Sequence, residues 1–203
     1  MKISAQPPFF ITLITLFLTN EPKYVMFMLF SAFVHEVGHI VAFGLCSVRV
    51  ERLVLGLFGG TLILEKKLIS YPKEAFTASA GALANLLCSL VCFAVLRSGF
   101  SFDMFFLFSA NLFYAVFNIL PISGLDGGAV LLSLMSIKKE LGEAERTAGI
   151  ISRITLFLLA VCSLLLVSVS AFNLSLFVIT LMLYAESSVG HIISGYEFCR
   201  KTS

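Results

Sequence analysis

The stretch FVHEVGHIVAF, Phe33–Phe43, places two histidines and a glutamate inside an otherwise apolar run. The composition indicates that this run lies in a membrane, because 59% of the 203 residues are hydrophobic and only 13% are charged. Soluble domains carry about 25% charged residues. Polar and ionisable side chains at membrane depth are costly and mark functional positions. The sequence therefore predicts a membrane protein with a functional group at His35, Glu36 and His39.

Apolar segments of suitable length predict the fold class, which is an all-α polytopic membrane protein with about six transmembrane helices. The first segment is too short to cross a bilayer without tilting. The formal net charge is only +2 and no long basic cluster is present, so nucleic acid is excluded as a partner. The six segments are Pro8–Leu18, Val25–Leu45, Ala75–Leu96, Met104–Leu120, Ile150–Ser168 and Phe172–Ser187.

The basic residues predict the orientation of these helices. With the N-terminus inside the cell, twelve of the fourteen lysines and arginines face the cytoplasm, and only Lys23 and Arg97 lie outside. Cytoplasmic connections are enriched in Lys and Arg. We therefore expect a multi-pass protein with cytoplasmic N- and C-termini.

The connection between the second and third segments reads VRVERLVLGLFGGTLILEKK, Val48–Lys67. Its first half alternates and is rich in β-branched residues, and Gly59 and Gly60 lie near its centre. This pattern predicts a short membrane-associated β-hairpin rather than a helix. A plain connecting loop is the alternative.

The spacing of His35 and His39 is typical of a metal site. Residues four apart lie on the same face of a helix, so both imidazoles can bind one tetrahedral zinc ion. Glu36, next to the first histidine, can reach a water molecule at that metal. This is the H-E-x-x-H arrangement of metalloproteases. Gly38, inside the motif, allows a neighbouring helix to approach closely.

A third ligand must come from elsewhere in the chain, and the stretch FNILPISGLDGG, Phe117–Gly128, offers Asp126. Pro121 and the glycines predict a break in the helix from which this carboxylate can project. Asp126 in an ordinary turn or at a helix N-cap is the alternative. Glu186 and Asp103 lie at other span ends, and His191 is expected on the surface. We expect one Zn²⁺ per chain.

These motifs together resemble the site-2 protease family of intramembrane zinc metalloproteases. The resemblance is carried by HEVGH on the second span, FGG in the hairpin, GALAN on the third span and NILPISGLDGG on the fourth. The last motif is most similar to the branch typified by stage IV sporulation protein FB, which clips a membrane-associated sigma-factor precursor. Two departures concern regulation: the 203 residues leave no room for a CBS domain, and Ala82 stands where the family usually has proline.

The resemblance implies a role for each matching residue. His35, His39 and Asp126 would bind zinc, Glu36 would be the general base, and Asn118 would be a polar group beside the active site. The substrate would pair with an edge strand that includes Leu57, Phe58, Gly59 and Gly60. Gly81 and Asn85 keep the rest of the third-span motif, with small-residue packing and one interhelical hydrogen bond as the alternative.

We therefore expect residues 1–203 to form a single intramembrane metalloprotease domain without CBS or PDZ domains. Its active site would lie near the cytoplasmic face and cut a peptide bond in or near a transmembrane segment of a membrane-associated protein, such as a sigma-factor precursor or another regulator. Its partners would be that substrate, the lipid bilayer and regulatory membrane proteins.

Other functions explain the sequence less well. An ion or metal transporter that uses the same His, Glu and Asp cluster should have paired halves with matching broken helices, and the sequence has one break and no repeat. An aspartyl protease needs a second aspartate within a span, and Asp103 lies at the wrong end. A serine mechanism at Ser123 lacks a free histidine, and the intact H-E-x-x-H motif argues against a relative that only binds.

Overall fold

The structure is a computed structural model that describes residues 2–56, 59–65, 69–169 and 175–189. Proline at the first or second position begins α1, α2 and α3, where its missing N–H costs no hydrogen bond. The helices are α1 Pro7–Thr19, α2 Pro22–Leu45, α3 Tyr71–Leu96, α4 Phe102–Asn118, α5 Asp126–Ser136, α6 Leu141–Val169 and α7 Ser175–Val189. The strands are β1 Lys2–Ala5, β2 Val50–Gly56 and β3 Gly59–Leu64.

Helix α3 lies at the centre of the bundle and packs against α2, α4 and α5, while α6 joins α5 to α7. Gly38 brings α2 close to α3, as the sequence predicted. A Cβ atom at this position would lie 2.6 Å from the Ala80 carbonyl oxygen and 2.7 Å from the Ala84 Cβ. The two helix backbones therefore approach closely at the level of the H-E-x-x-H motif.

The bundle places small and polar side chains inside and large apolar ones outside. On α3, Ala78, Ala82 and Asn85 are buried, whereas Leu87 and Val91 are about two-thirds exposed, at 64% and 65%. In a bilayer this arrangement is stable, because lipid solvates the large side chains while small residues let helices pack and polar groups pair between them. Helices α2, α3 and α6 are long and apolar enough to cross a membrane.

A three-stranded sheet of order β1-β2-β3 lies beside the bundle. Strands β2 and β3 are antiparallel, with Gly56 opposite Gly59, which confirms the predicted hairpin. Strand β1 pairs with β2 in parallel and was not predicted. Phe43 of α2 packs with Val48, Leu53 and Leu62, so a small apolar core fixes the sheet to the end of α2. Among the described strands, β3 forms one edge of the sheet.

The predicted count of six membrane-crossing helices is not confirmed. Three described helices have the required length and apolar character, and α1, α4 and α5 are shorter apolar helices. The break predicted after the fourth segment is present, and Gly124 lies within it with a φ of 99°, a left-handed conformation that favours glycine. Helix α5 comes directly after this break and was not predicted. Of the sixth segment, Phe172–Ser187, the structure describes the part from Ser175, within α7.

Candidate metal centre

His35 and His39 lie one turn apart on α2 and face α3. Both side chains are buried, with residue exposures of 7% and 3%. Their Nε2 atoms are 3.1 Å apart, and the ring planes are inclined at 81°. The four-residue spacing therefore directs one nitrogen of each ring to a common point, as the sequence predicted.

Asp126 is the first residue of α5 and reaches the same point. Its Oδ2 atom is 3.0 Å from His35 Nε2 and 3.2 Å from His39 Nε2. The glycines after it allow this approach, because a Cβ at Gly127 would overlap the Ile119 carbonyl group and one at Gly128 would overlap the Ile122 carbonyl oxygen. The helix break and the two glycines thus bring a carboxylate from α5 to two imidazoles on α2.

The hydrogen bonds of the outer ring nitrogens determine which nitrogen carries the proton. His39 Nδ1 is 2.8 Å from the Thr77 carbonyl oxygen, which can only accept, so this nitrogen donates. His35 Nδ1 is 2.9 Å from Asn85 Oδ1, which is also an acceptor. In their neutral forms both rings therefore carry the proton on Nδ1 and present a bare lone pair at Nε2. This orientation is typical of histidines that bind metal ions.

The three inner atoms fit a bound cation. In the neutral rings the two Nε2 atoms have no proton to donate, and the buried Asp126 Oδ2 has no hydrogen-bond partner of acceptable geometry in the described part of the chain. A tetrahedral zinc site with bonds of about 2.0–2.1 Å separates its ligand atoms by about 3.3 Å. The observed separations of 3.0–3.2 Å are close to this value. His35, His39 and Asp126 can therefore hold one metal ion, and a set of two nitrogens and one oxygen suits Zn²⁺.

Gly81 of α3 leaves space beside these atoms. A Cβ at this position would overlap His39 Nε2 and would lie 2.8 Å from His35 Nε2. The absent side chain therefore creates the space in which the two inner nitrogens meet. The contacts at Gly81 therefore favour the interpretation that glycine is needed to make room for the two imidazoles, rather than only to pack α3 against its neighbours.

Glu36 lies next to the first histidine and is held by the hairpin. The backbone N–H of Gly60 donates a hydrogen bond of 3.1 Å to Glu36 Oε1. A Cβ at Gly60 would lie 2.7 Å from the carboxyl carbon, so any other residue at position 60 would require the Glu36 carboxylate to move. The carboxylate of the H-E-x-x-H motif is thus bound to the backbone of the edge strand.

The other predicted site residues fall in different places. Asn118 ends α4, and its amide donates to the Tyr114 carbonyl oxygen of its own helix at 3.1 Å, so no hydrogen bond in the described structure links it to the cluster. Gly59 begins β3. Leu57, Phe58 and His191 lie outside the described residues. Asp103, the other aspartate considered, forms an ion pair with Lys23 at 2.5 Å.

Sequence reasoning missed three groups around the site. The Thr77 carbonyl oxygen orients His39, Asn111 binds Asn85, and the Tyr114 ring lies 6.2 Å from the His35 ring. Asn111 carries a signal that was available, because an asparagine within the apolar run of α4 is as costly as the histidines of α2. The Thr77 contact has no such signal, because it uses the backbone.

Comparisons with known proteins agree with this geometry. The model of Peptidase family M50 matches residues 23–101 and 95–162. Stage IV sporulation protein FB of Bacillus subtilis is 28% identical over 151 residues, which is 72% of this chain and 52% of that protein. Zinc metalloprotease MJ0392 of Methanocaldococcus jannaschii is 26% identical over 180 residues, which is 84% of this chain and 52% of that protein. The chain thus spans about half the length of the curated relatives it matches.

A solved structure shares the fold. The site-2 protease from Methanocaldococcus jannaschii superposes with a TM-score of 0.68 at 22% identity, covering 100% of this chain and 95% of that one. The family model covers well over half of the present sequence, including both histidines and Asp126. The chain belongs to Peptidase family M50, the site-2 protease family.

Proposed function

We propose that this protein is an intramembrane endopeptidase that hydrolyses a peptide bond in or near a transmembrane segment of a membrane-bound protein. Family membership and three long apolar helices identify an integral membrane protein of a zinc metalloprotease family. We assign one Zn²⁺ per chain to His35, His39 and Asp126, and we treat residues 1–203 as one catalytic domain. The observation that carries this proposal is the convergence of those three side chains beside Glu36.

The chemistry divides between the metal and the side chains. A bound Zn²⁺ supplies a Lewis acid that polarises a peptide carbonyl and acidifies a water molecule. The Glu36 carboxylate takes a proton from water as the water oxygen adds to the carbonyl carbon, and it returns that proton to the amine as the C–N bond breaks. We propose Asn118 as a polar group that binds the substrate beside this site, after a change of its present rotamer.

The hairpin provides a place for the substrate. A transmembrane helix hides its amide groups in its own hydrogen bonds, so it must unwind before hydrolysis. An extended peptide can then add to a free sheet edge through main-chain hydrogen bonds. Strand β3 is an edge strand among the described strands, and its Gly60 contacts Glu36. We propose that Leu57, Phe58, Gly59 and Gly60 bind the substrate backbone there.

We propose a membrane-associated regulator as the substrate. One relative is a sporulation protein, which supports a membrane-associated regulator such as a sigma-factor precursor as the substrate. We propose regulatory membrane proteins as further partners. The distribution of basic residues supports cytoplasmic termini and a site near the cytoplasmic face.

The experiment is the Glu36→Gln substitution in purified protein with zinc and a panel of single-span candidate substrates. Glutamine keeps the size of the side chain but cannot take up the proton. We expect cleavage to fall by about 10²–10⁴, with bound zinc near one per chain and the substrate retained. A transporter would instead show altered ion flux and no cleavage by the unsubstituted protein.

A matched control is Glu143→Gln. Glu143 lies on α6 in an exposed ion pair with Lys139 at 2.7 Å, away from the cluster. This variant should cleave at the normal rate. Normal cleavage by Glu36→Gln would contradict the proposed role of Glu36.

A further inference from the structure

Asn111 of α4 lies in a buried polar network that also includes groups of α3 and α2. Its side chain is fully buried, as is that of Asn85 on α3, both with an exposure of 0%. Asn111 Oδ1 accepts a hydrogen bond of 2.9 Å from Asn85 Nδ2. Asn111 Nδ2 donates to the Leu107 carbonyl oxygen one turn earlier in α4, also at 2.9 Å, which fixes the Asn111 amide.

The Asn85 amide is held in one orientation by two acceptors. Its nitrogen donates to Asn111 Oδ1 and also to the Ser31 carbonyl oxygen of α2, at 2.8 Å. Both of its N–H groups are therefore used, and rotation of the amide would place its oxygen against two other oxygens. Buried polar groups without partners are strongly unfavourable in an apolar medium. The Asn85 oxygen consequently faces His35 Nδ1, at 2.9 Å.

The two histidines differ in how they are held. His39 donates to a backbone carbonyl oxygen, which no substitution removes. His35 donates to a side chain whose own orientation depends on α4. The direction of the His35 lone pair at Nε2 is therefore set by a chain of side-chain hydrogen bonds from α4 through α3 to α2.

We propose that Asn111 is a positioning residue of the metal centre that acts through Asn85. By accepting from Asn85 Nδ2, it keeps the proton of His35 on Nδ1 and leaves Nε2 free for the metal ion. The inference rests on the proposed zinc site. It goes beyond that site because Asn111 is on a helix that supplies no ligand in the described structure.

The test measures zinc affinity of the full chain in detergent by competition with a chelator of known affinity. Asn111→Leu removes the acceptor at similar volume, and Asn111→Asp keeps an acceptor oxygen. Substitution of residues that orient metal ligands weakens metal binding by about 10–100-fold. We expect Asn111→Leu to weaken zinc binding by about tenfold and Asn111→Asp to stay close to the unsubstituted protein.

Two further variants show the zinc affinity expected with an intact site and with a lost ligand. Ser31→Ala is the matched control, because the buried Ser31 hydroxyl donates only within its own helix, to the Phe27 carbonyl oxygen, while the carbonyl oxygen used by Asn85 remains. Its zinc affinity should be unchanged. Asp126→Ala removes a ligand and should show the largest loss. Thermal unfolding of the metal-free proteins reports how much of each effect is structural.

A double-mutant cycle tests the route. If Asn111 acts through Asn85, then adding Asn111→Leu to Asn85→Leu should weaken zinc binding no further. If the Asn111→Leu protein does not accumulate in cells, Asn111→Ala replaces it in the same double-mutant cycle. Normal zinc affinity in Asn111→Leu, or in Asn111→Ala where that variant replaces it, would overturn the inference, as would a full additional loss in the Asn85→Leu background. Absence of zinc binding by the unsubstituted protein would instead contradict the proposed function.

Discussion

Residue 81 shows how the absence of a side chain contributes to the metal centre. The two inner nitrogens of His35 and His39 occupy the volume that a Cβ at Gly81 would fill. Glycine in a helix interior costs about 0.5–1 kcal/mol relative to alanine. A bundle that only had to pack would gain stability from alanine, so the site accounts for glycine at this position.

We therefore predict that Gly81→Ala displaces one or both imidazoles and weakens zinc binding. Overpacking costs about 1–3 kcal/mol, and if this cost falls on the zinc-bound state it corresponds to roughly 5- to 160-fold in Kd. Gly44→Ala is the control, because in the described part of the chain no atom beyond its own helical neighbours lies within 4 Å of a Cβ at Gly44 on α2. Chelator competition measures both variants. Equal zinc affinity in Gly81→Ala and Gly44→Ala would show that the cluster does not need this space.

The sequence predicted those residues of the metal centre whose side chains follow a recognisable spacing or motif. His35 and His39 follow from helical spacing, and Asp126 follows from the need for a third ligand near a helix break. The groups around them could not be predicted. The Thr77 contact is a backbone carbonyl oxygen, and the link between Asn111 and Asn85 depends on how α3 and α4 pack.

The hairpin is the element that we propose connects the cluster to a peptide substrate. Alternating apolar and polar residues and the paired glycines predicted β2 and β3. Such a pattern is visible in the sequence because it involves only residues that are close together in the chain. Strand β1 was missed, since it has four residues and its partner β2 lies about fifty positions away in the chain. Helix α5 was missed because the Pro and Gly signals before it mark a break in the chain without specifying the structure of the next segment.

For the hairpin, we predict that Gly60→Pro slows cleavage while zinc stays bound. Proline removes the Gly60 N–H, which is the donor to Glu36 and the main-chain donor of β3 at this position. Ser4→Pro is the control, because it alters β1 at the opposite side of the sheet. Cleavage rate and bound zinc are measured together for each variant. If Gly60→Pro and Ser4→Pro cut a membrane substrate equally fast, pairing along β3 is not used.

The whole molecule raises the question of which helices cross the bilayer. Helix α4 has 17 residues and α5 has 11. At about 1.5 Å per residue, α4 is about 26 Å long and α5 about 17 Å, whereas the hydrocarbon core is about 30 Å thick. Apolar length alone therefore cannot give the number of crossings, which is why the sequence did not establish it. The Lys and Arg distribution is independent of helix length and bears on the orientation directly.

The orientation of the helices also decides which membrane face lies nearer to the metal-binding cluster of His35, His39 and Asp126. His39 lies toward the end of α2, Thr77 near the beginning of α3, and Asp126 at the beginning of α5. These helix ends share one side of the bundle with the sheet, while the connection between α3 and α4 lies at the other end of α3. If the sheet side is cytoplasmic, then the cluster is nearer the cytoplasm.

We predict that a cysteine at Ser70, between β3 and α3, reacts with a membrane-impermeant maleimide only from the cytoplasmic side. Gly99→Cys should react only from the outside, because among the described residues no atom beyond the chain neighbours lies within 4 Å of a Cβ at this position. The five native cysteines are first replaced, and labelling is compared in intact cells and in inverted vesicles.

A reporter fused after Lys201 should read cytoplasmic, because Arg200 and Lys201 come after the last apolar segment. Labelling of Ser70→Cys from outside would reverse the orientation and place the metal centre near the opposite face.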